Sequence, residues 1–227
     1  MTPGPESAPA VALWDLPVRA IHWAFVLLLP VLWWTGEEGE IELHKTIGIV
    51  MLGLLIFRIL WGFVGSSTAR FANFLRGPAA VLGDLRNTAS GPVVGHNPVG
   101  GWSVVALLLV LLAQVAFGLF AQDVDGIESG PLSYLVDYDS ADAAREWHHL
   151  VFNVILGLVA LHVIAILYYL FRRRDNLIAP MISGRRTFAE PVEAPRLAPA
   201  WRVAACAAVA GAVAWWVSLG APLPGSA

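Results

Sequence analysis

The stretch WHHLVFNVILGLVALHVIAILYYLF, residues 147–171, decides how this chain folds. A helix that crosses the hydrocarbon core of a bilayer needs about 20 mostly apolar residues, and this stretch is longer than that. It also carries His148 and His162. An ionisable side chain inside a lipid-embedded helix is costly and is usually functional. The stretch therefore predicts a membrane span that contributes to a functional site.

The rest of the chain has the same character. It is 57% hydrophobic and only 14% charged, with a mean hydropathy of +0.67, which excludes a soluble domain. The apolar runs show no alternation with a period of two, so a β-barrel is excluded. Nothing in the composition indicates nucleic-acid binding. We predict an all-α integral membrane protein whose other four spans cover residues 16–35, 44–64, 99–121 and 201–219.

The charges between the spans predict the orientation. The connectors at 36–43 and 122–146 are acidic, whereas those at 65–98 and 172–200 are basic. Basic loops remain in the cytoplasm. We therefore expect a multi-pass protein of the bacterial inner membrane, in contact with lipid, with its N-terminus in the cytoplasm and its C-terminus in the periplasm.

The histidines form pairs by face and depth. At about 100° per residue, His148 and His162 lie within about 40° of one face and about 21 Å apart, whereas His149 points to roughly the opposite face. The depth of each residue in its span pairs His44 with His148 at the outer side and His22 with His162 at the inner side.

Two histidine pairs in a helix bundle suggest bis-histidine ligation of two haems. Structural zinc is the rival, but it needs four ligands close together, and the two pairs are too far apart. A proton relay would require Asp or Glu within the spans, and none lies in the middle of one. The only cysteine is Cys206 and no CxxCH motif is present, so a c-type haem is excluded.

For several other residues the sequence alone allows two roles. Arg19 and Arg58 pair with haem propionates or extend to the membrane interface. Gly48 and Gly157 make room for a macrocycle or allow ordinary helix packing. His96 takes part in quinone protonation or belongs to a plain turn before the third span, and the turn is favoured.

Five motifs resemble a known family. The first span opens with WDLPVRAIHW (14–23), and the second reads HKTIGIVMLGLLIFRILWG (44–62). They are followed by GHNPVGG (95–101), by EWHHLVFNVILGLVALH (146–162) and by RDNLIAPMISGRR (174–186). Together these motifs resemble the bacterial cytochrome b561 and nickel–iron hydrogenase b-type cytochrome superfamily over about residues 13–187. A histidine at position 149, where relatives often carry Glu, and the fifth span depart from the pattern.

The resemblance implies a four-helix bundle that holds two haems b, with ligands at His22, His44, His148 and His162. It implies electron transfer between a membrane quinone and an outside partner, which is a periplasmic carrier or redox enzyme. Two alternatives stay open: a superoxide:quinone oxidoreductase, and a haem-bearing anchor subunit of a hydrogenase or dehydrogenase. We divide the chain into a flexible tail (1–13), a dihaem transmembrane domain (14–187), and a linker with the fifth span (188–227).

Overall fold

The computed structural model describes residues 10–86, 93–123, 125 and 128–222. Within these residues, five helices are long and apolar enough to cross a membrane, which confirms the all-α integral membrane fold. They are α1 (Leu16–Glu37), α2 (Ile41–Val64), α5 (Pro98–Phe120), α6 (Tyr138–Phe171) and α8 (Ala200–Ser218). The shorter helices are α3 (Phe71–Phe74), α4 (Pro78–Leu85) and α7 (Ile178–Ser183).

Helix α6 begins well before the predicted start of the fourth span. Asp137 caps it, because its carboxylate accepts a hydrogen bond of 2.8 Å from the Ser140 amide. The helix has 34 residues, about 51 Å at 1.5 Å per residue, whereas the hydrocarbon core is about 30 Å thick. The last nine residues of the expected 122–146 connector are therefore helical, and α6 is longer than a span needs on the side of the acidic connectors.

Four of the five spans pack in two pairs. Helix α1 packs against α2, and α5 packs against α6 along much of their lengths, while α2 also contacts α5. Among the described residues, α6 has no extensive backbone contact with α1 or α2. The two pairs thus meet through side chains and not through close backbone contacts, and we call the region between them the central cleft.

An apolar layer crosses the bundle at mid-depth. Ile155 of α6 is 2% exposed and lies seven residues from both His148 and His162, which is about 10 Å along the axis in each direction. The layer therefore separates two levels of histidines, which we call outer, on the side of the acidic connectors, and inner, on the side of the basic connectors. Its other buried members are Met51, Leu55, Leu108 and Leu111.

The inner end of the bundle is fastened by the N-terminal segment. Strand β1 (Val11–Ala12) pairs antiparallel with β2 (Arg185–Arg186), and the Leu13 amide donates 2.8 Å to the Gly184 carbonyl. Residues 1–9 of the expected flexible tail lie outside the described residues. The described part of the tail is anchored, because Leu13 is only 2% exposed.

The fifth span lies against α2, away from the central cleft. An added Cβ at Gly53 would be 3.5 Å from the Ala214 Cβ, so the two helices approach closely there. The linker before α8 is held by the hydroxyls of Ser67 and Ser66, which accept bonds of 3.0 Å from the amides of Arg196 and Ala198. The fifth span therefore supports α2 from behind.

Asp15 connects α1 to α2 at the inner end, and its removal should be costly. Its carboxylate accepts 2.9 Å bonds from the Val18 amide and from the Trp61 indole. We expect Asp15→Ala to lower the free energy of unfolding by about 2–4 kcal/mol, because a cap is lost and a buried donor is left unpaired. The measurement is thermal unfolding in detergent micelles followed by circular dichroism.

The matched control for this substitution is Asp137→Ala. Asp137 is also a helix cap, but it is exposed and bonds only locally to Ser140. We expect a clearly smaller loss at this site, because the cap is fully exposed to solvent. Equal losses for the two variants would contradict the role given to Asp15.

Candidate functional site

His44 of α2 and His148 of α6 face each other at the outer end of the central cleft. Their ring centroids are 6.1 Å apart and the ring planes are inclined by 73°. This separation is too wide for a direct hydrogen bond between the rings. It suits a metal ion between them, since a metal–imidazole bond is about 2 Å long.

Hydrogen bonds define which nitrogen of each outer ring is available. Nδ1 of His44 is 2.9 Å from the Leu32 carbonyl oxygen, and Nδ1 of His148 is 2.9 Å from the Gln114 carbonyl oxygen. A carbonyl can only accept, so both Nδ1 atoms must carry the proton. Each neutral ring then presents an unprotonated Nε2, which is the form and the orientation that a metal ligand requires.

Gln114 of α5 occupies a position that its sequence context did not reveal. Its side-chain amide nitrogen lies 3.0 Å from Nε2 of His148, the atom that would bind a metal. Its Oε1 is buried and has no hydrogen-bond partner. From sequence we expected only a contact between helices. The structure instead places this amide at the outer end of the central cleft, in contact with the free ring nitrogen.

Glycines make room for the outer rings. A Cβ at Gly118 of α5 would lie 2.9 Å from Cε1 of His148, and one at Gly36 would lie 3.5 Å from Nδ1 of His44. Gly48 has open space around it, as does Gly157. Gly157 is nine residues from His148 and therefore on the opposite side of α6. Sequence reasoning singled out Gly157 but missed Gly118, since the latter's contact is with another helix.

The inner histidines come from α1 and α6. His22 and His162 are close enough to interact electrostatically across the central cleft. Nδ1 of His22 is buried without a hydrogen-bond partner. His149, by contrast, is exposed at the surface of α6. The structure thus brings together the residues that the face and depth argument paired, and leaves His149 outside.

Two arginines carry buried donors at the inner level. Arg58 is only 5% exposed, and its Nη1 has no partner. Its guanidinium lies 5.5 Å from the centre of the Phe71 ring. Arg19 donates to the Ile182 carbonyl, and its Nε is buried and unpartnered. Neither arginine simply extends to the membrane interface, which was one of the two readings from sequence.

His96 belongs to the same inner region. Its ring lies between Trp14 and Phe74, at centroid distances of 4.6 and 4.7 Å, and its Nδ1 is buried without a partner. Burial, and then the charges of Arg58 and His162, lower the pKa of His96 to about 3, so the ring is neutral at physiological pH. The segment favoured as a turn from sequence is a helix start in the structure, because Asn97 caps α5 and Pro98 is its first residue. Sequence reasoning missed the packing of His96, which depends on residues far away in the chain.

These residues fit haem better than zinc. Among the residues that the structure describes, no group of three or more His, Cys, Asp or Glu side chains could hold a metal ion. The outer level offers two opposed imidazoles with unprotonated Nε2 atoms instead, between the two helix pairs. The inner level adds buried arginine donors, which suit the carboxylates of haem.

A multi-pass helical protein with opposed histidines between two helix pairs has the architecture of a membrane-bound cytochrome. Residues 13–184 match the family described as prokaryotic cytochrome b561, and the chain belongs to that family. It is therefore a b-type cytochrome of a bacterial membrane, with haem b as its cofactor and electron transfer as its activity.

Two curated relatives are hydrogenase subunits. The chain is 25% identical to the probable Ni/Fe-hydrogenase B-type cytochrome subunit of Bradyrhizobium diazoefficiens, over 79% of this chain and 87% of the relative. It is 25% identical to the probable Ni/Fe-hydrogenase 1 B-type cytochrome subunit of Escherichia coli K12, over 77% of this chain and 90% of the relative.

A third relative has a different described activity. The chain is 26% identical to the probable superoxide oxidase CybB of Yersinia pestis, over 73% of this chain and 93% of the relative. No solved structure matches the chain.

A methyl group at residue 118 should weaken haem binding. In Gly118→Ala the new Cβ would push the His148 ring away from the Gln114 carbonyl, which holds its tautomer. Loss of such a supporting contact typically reduces metal affinity about tenfold or more. We expect less haem b per chain after purification, measured as the pyridine haemochrome. Gly157→Ala is the control, because a Cβ there meets nothing within 4 Å, and it should retain full occupancy.

Proposed function

We propose that the chain holds two haems b, one between His44 and His148 and the other between His22 and His162, and carries electrons across the membrane. The observation that supports this most directly is the outer pair, whose rings are 6.1 Å apart, each with Nδ1 bonded to a backbone carbonyl. When bound, haem supplies one-electron chemistry at its iron.

The protein's own residues would bind the haems, orient the histidine ligands and keep water out of the bundle. The carbonyls of Leu32 and Gln114 fix the tautomers of His44 and His148, so that the lone pairs face the cleft. The apolar layer around Ile155 keeps water out of the space between the two levels. Arg19 and Arg58 provide buried donors for the carboxylates at the inner level.

The charge of the connectors supports an N-terminus in the cytoplasm and a C-terminus in the periplasm. The inner level then lies on the cytoplasmic side, where residues of the basic connectors such as Arg185 and Arg186 also lie. Quinone is the membrane-soluble electron carrier that we propose as the partner within the bilayer, as the resemblance to the family implies.

The outer face is strongly acidic and supports a cationic partner. It carries eleven acidic residues in 36–43 and 122–146 and only Lys45 and Arg145 as basic residues nearby. Lys45 lies 2.5 Å from Glu42 and 3.7 Å from Glu128, and Arg145 lies 2.6 Å from Asp142. The Ser140 hydrogen bonds lower the pKa of Asp137 and so favour its charged form. Such a face attracts a basic carrier or a basic docking surface of a redox enzyme.

The hydrogenase relatives favour a redox enzyme as that partner, with this chain as its haem-bearing membrane subunit. The relative named as a probable superoxide oxidase supports a second candidate, the oxidation of superoxide with quinone as acceptor. Superoxide is an anion, so the acidic outer face would repel it. We therefore rank electron exchange with a protein partner first.

The histidine assignment predicts how haem is lost. Alanine at His44 or His148 should leave one haem of two, and so should alanine at His22 or His162. A double variant within a pair, His44→Ala with His148→Ala, should lose no more than either single variant. A double variant across the pairs, His44→Ala with His22→Ala, should lose both haems. The measurement is haem b per chain by pyridine haemochrome in the purified protein.

His149→Ala is the matched control for that series, because this histidine adjoins His148 but is exposed. It should keep both haems. The assignment is refuted by a single haem in the wild-type protein, or by haem loss in His149→Ala.

The choice of outside partner can be tested by stopped-flow kinetics. With a basic soluble cytochrome c as probe, electron exchange should slow by about tenfold or more as salt rises, since screening removes the attraction. The triple variant Glu37→Gln, Glu38→Gln, Glu40→Gln should weaken that salt dependence. Reduction by superoxide at a nearly diffusion-limited rate, with little dependence on salt, would reverse the ranking.

A further inference from the structure

A buried corner at the inner level contains side-chain nitrogens without hydrogen-bond partners. It is formed by Arg58 of α2 and by His96, which precedes α5, and its walls are Trp14, Phe71 and Phe74. Nη1 of Arg58 and Nδ1 of His96 are both buried and unpartnered. Buried polar atoms are normally hydrogen-bonded, so the corner is built around an acceptor that the chain itself does not supply.

The nearest carboxylate of the chain is already used. Asp15 acts electrostatically on Arg58. However, its Oδ1 accepts from the Val18 amide and its Oδ2 accepts from the Trp61 indole. Within the described residues, no ion pair includes Arg58. Asp15 therefore supplies opposite charge near Arg58 but no hydrogen bond to it, and the buried Nη1 of Arg58 still needs an acceptor.

The corner adjoins the inner histidine pair. His96 interacts electrostatically with His162 as well as with Arg58. Haem b carries its negative charge on two propionate groups at one edge of the ring. We propose that His96 and Arg58 together bind a propionate of the inner haem, so that His96 is a positioning residue for that haem. This inference rests on the proposed function, because it requires a haem between His22 and His162.

The surroundings of His96 suit this role. The two aromatic rings of Trp14 and Phe74 hold the imidazole in place, which leaves only its edge for polar contacts. Gly101 permits the position of Phe74, since a Cβ there would be 2.9 Å from its ring. A neutral imidazole gives one N–H to a carboxylate, and Arg58 supplies the charge.

The expected consequence is a change in redox potential. A hydrogen bond to a propionate offsets part of its negative charge, and negative charge near the iron favours the oxidised haem. His96→Phe keeps an aromatic ring between Trp14 and Phe74 but removes the donor. We expect it to disfavour reduction of the inner haem by about tenfold, a midpoint shift of about −59 mV for a one-electron couple. His96→Gln, which keeps an N–H donor, should stay close to the unsubstituted protein.

The change in midpoint potential is measured most clearly when the inner haem is the only haem present. In a His148→Ala background the outer haem is absent, so optical redox titration reports on the inner haem alone. Retention of one haem in that background verifies the proposed function before residue 96 is changed. A reduced-minus-oxidised infrared spectrum should also show a displaced carboxylate band in His96→Phe and not in His96→Gln.

Each possible result for His96→Phe either supports or overturns the proposed contact between His96 and a propionate. An unchanged midpoint and an unchanged carboxylate band in His96→Phe overturn the inference while leaving the two-haem proposal intact. Loss of quinone reduction with an unchanged midpoint also overturns it, and assigns His96 to the quinone reaction instead. If His96→Phe does not accumulate in the membrane, His96→Leu removes the same donor and is judged by the same two measurements. His149→Leu, at an exposed position, should change neither readout.

Discussion

Two backbone carbonyls, those of Leu32 and Gln114, control the state of the outer histidines. Each carbonyl has two lone pairs, so it can serve its own helix and still accept from an imidazole. The ring nitrogen that faces the carbonyl must hold the proton, and the other one is therefore free. Ligand geometry thus depends on how α1 lies against α2 and α5 against α6, and these are two of the closest helix contacts in the molecule.

The central cleft follows from the same arrangement. Helix α1 packs mainly against α2, and α6 packs mainly against α5. The two pairs therefore meet through side chains in the central cleft. The layer of Met51, Leu55 and Ile155 closes the space at mid-depth. Packing therefore divides one cleft into two levels, and it does so with apolar side chains that bind nothing themselves.

Much of this could be predicted from sequence. Hydropathy located all five spans, and helical periodicity paired His148 with His162 on one face, because both signals are local. The start of α6 was missed because its first turns are acidic and lie outside the apolar run. The environment of His96 was missed because its neighbour Trp14 is distant in sequence, and no periodicity reports such a contact. The effect of Gly118 on His148 was missed for the same reason.

The pairing of β1 with β2 also has a consequence for the biogenesis of the protein. Residues 11–12 are made first, whereas their partners at 185–186 emerge only after the fourth span. Trp14, whose amide bonds to the Gly184 carbonyl, takes its final place against His96 only at that stage. The inner corner is therefore completed late in synthesis, when four spans are already in the membrane. Until then the inner level lacks the contacts that the N-terminal segment provides.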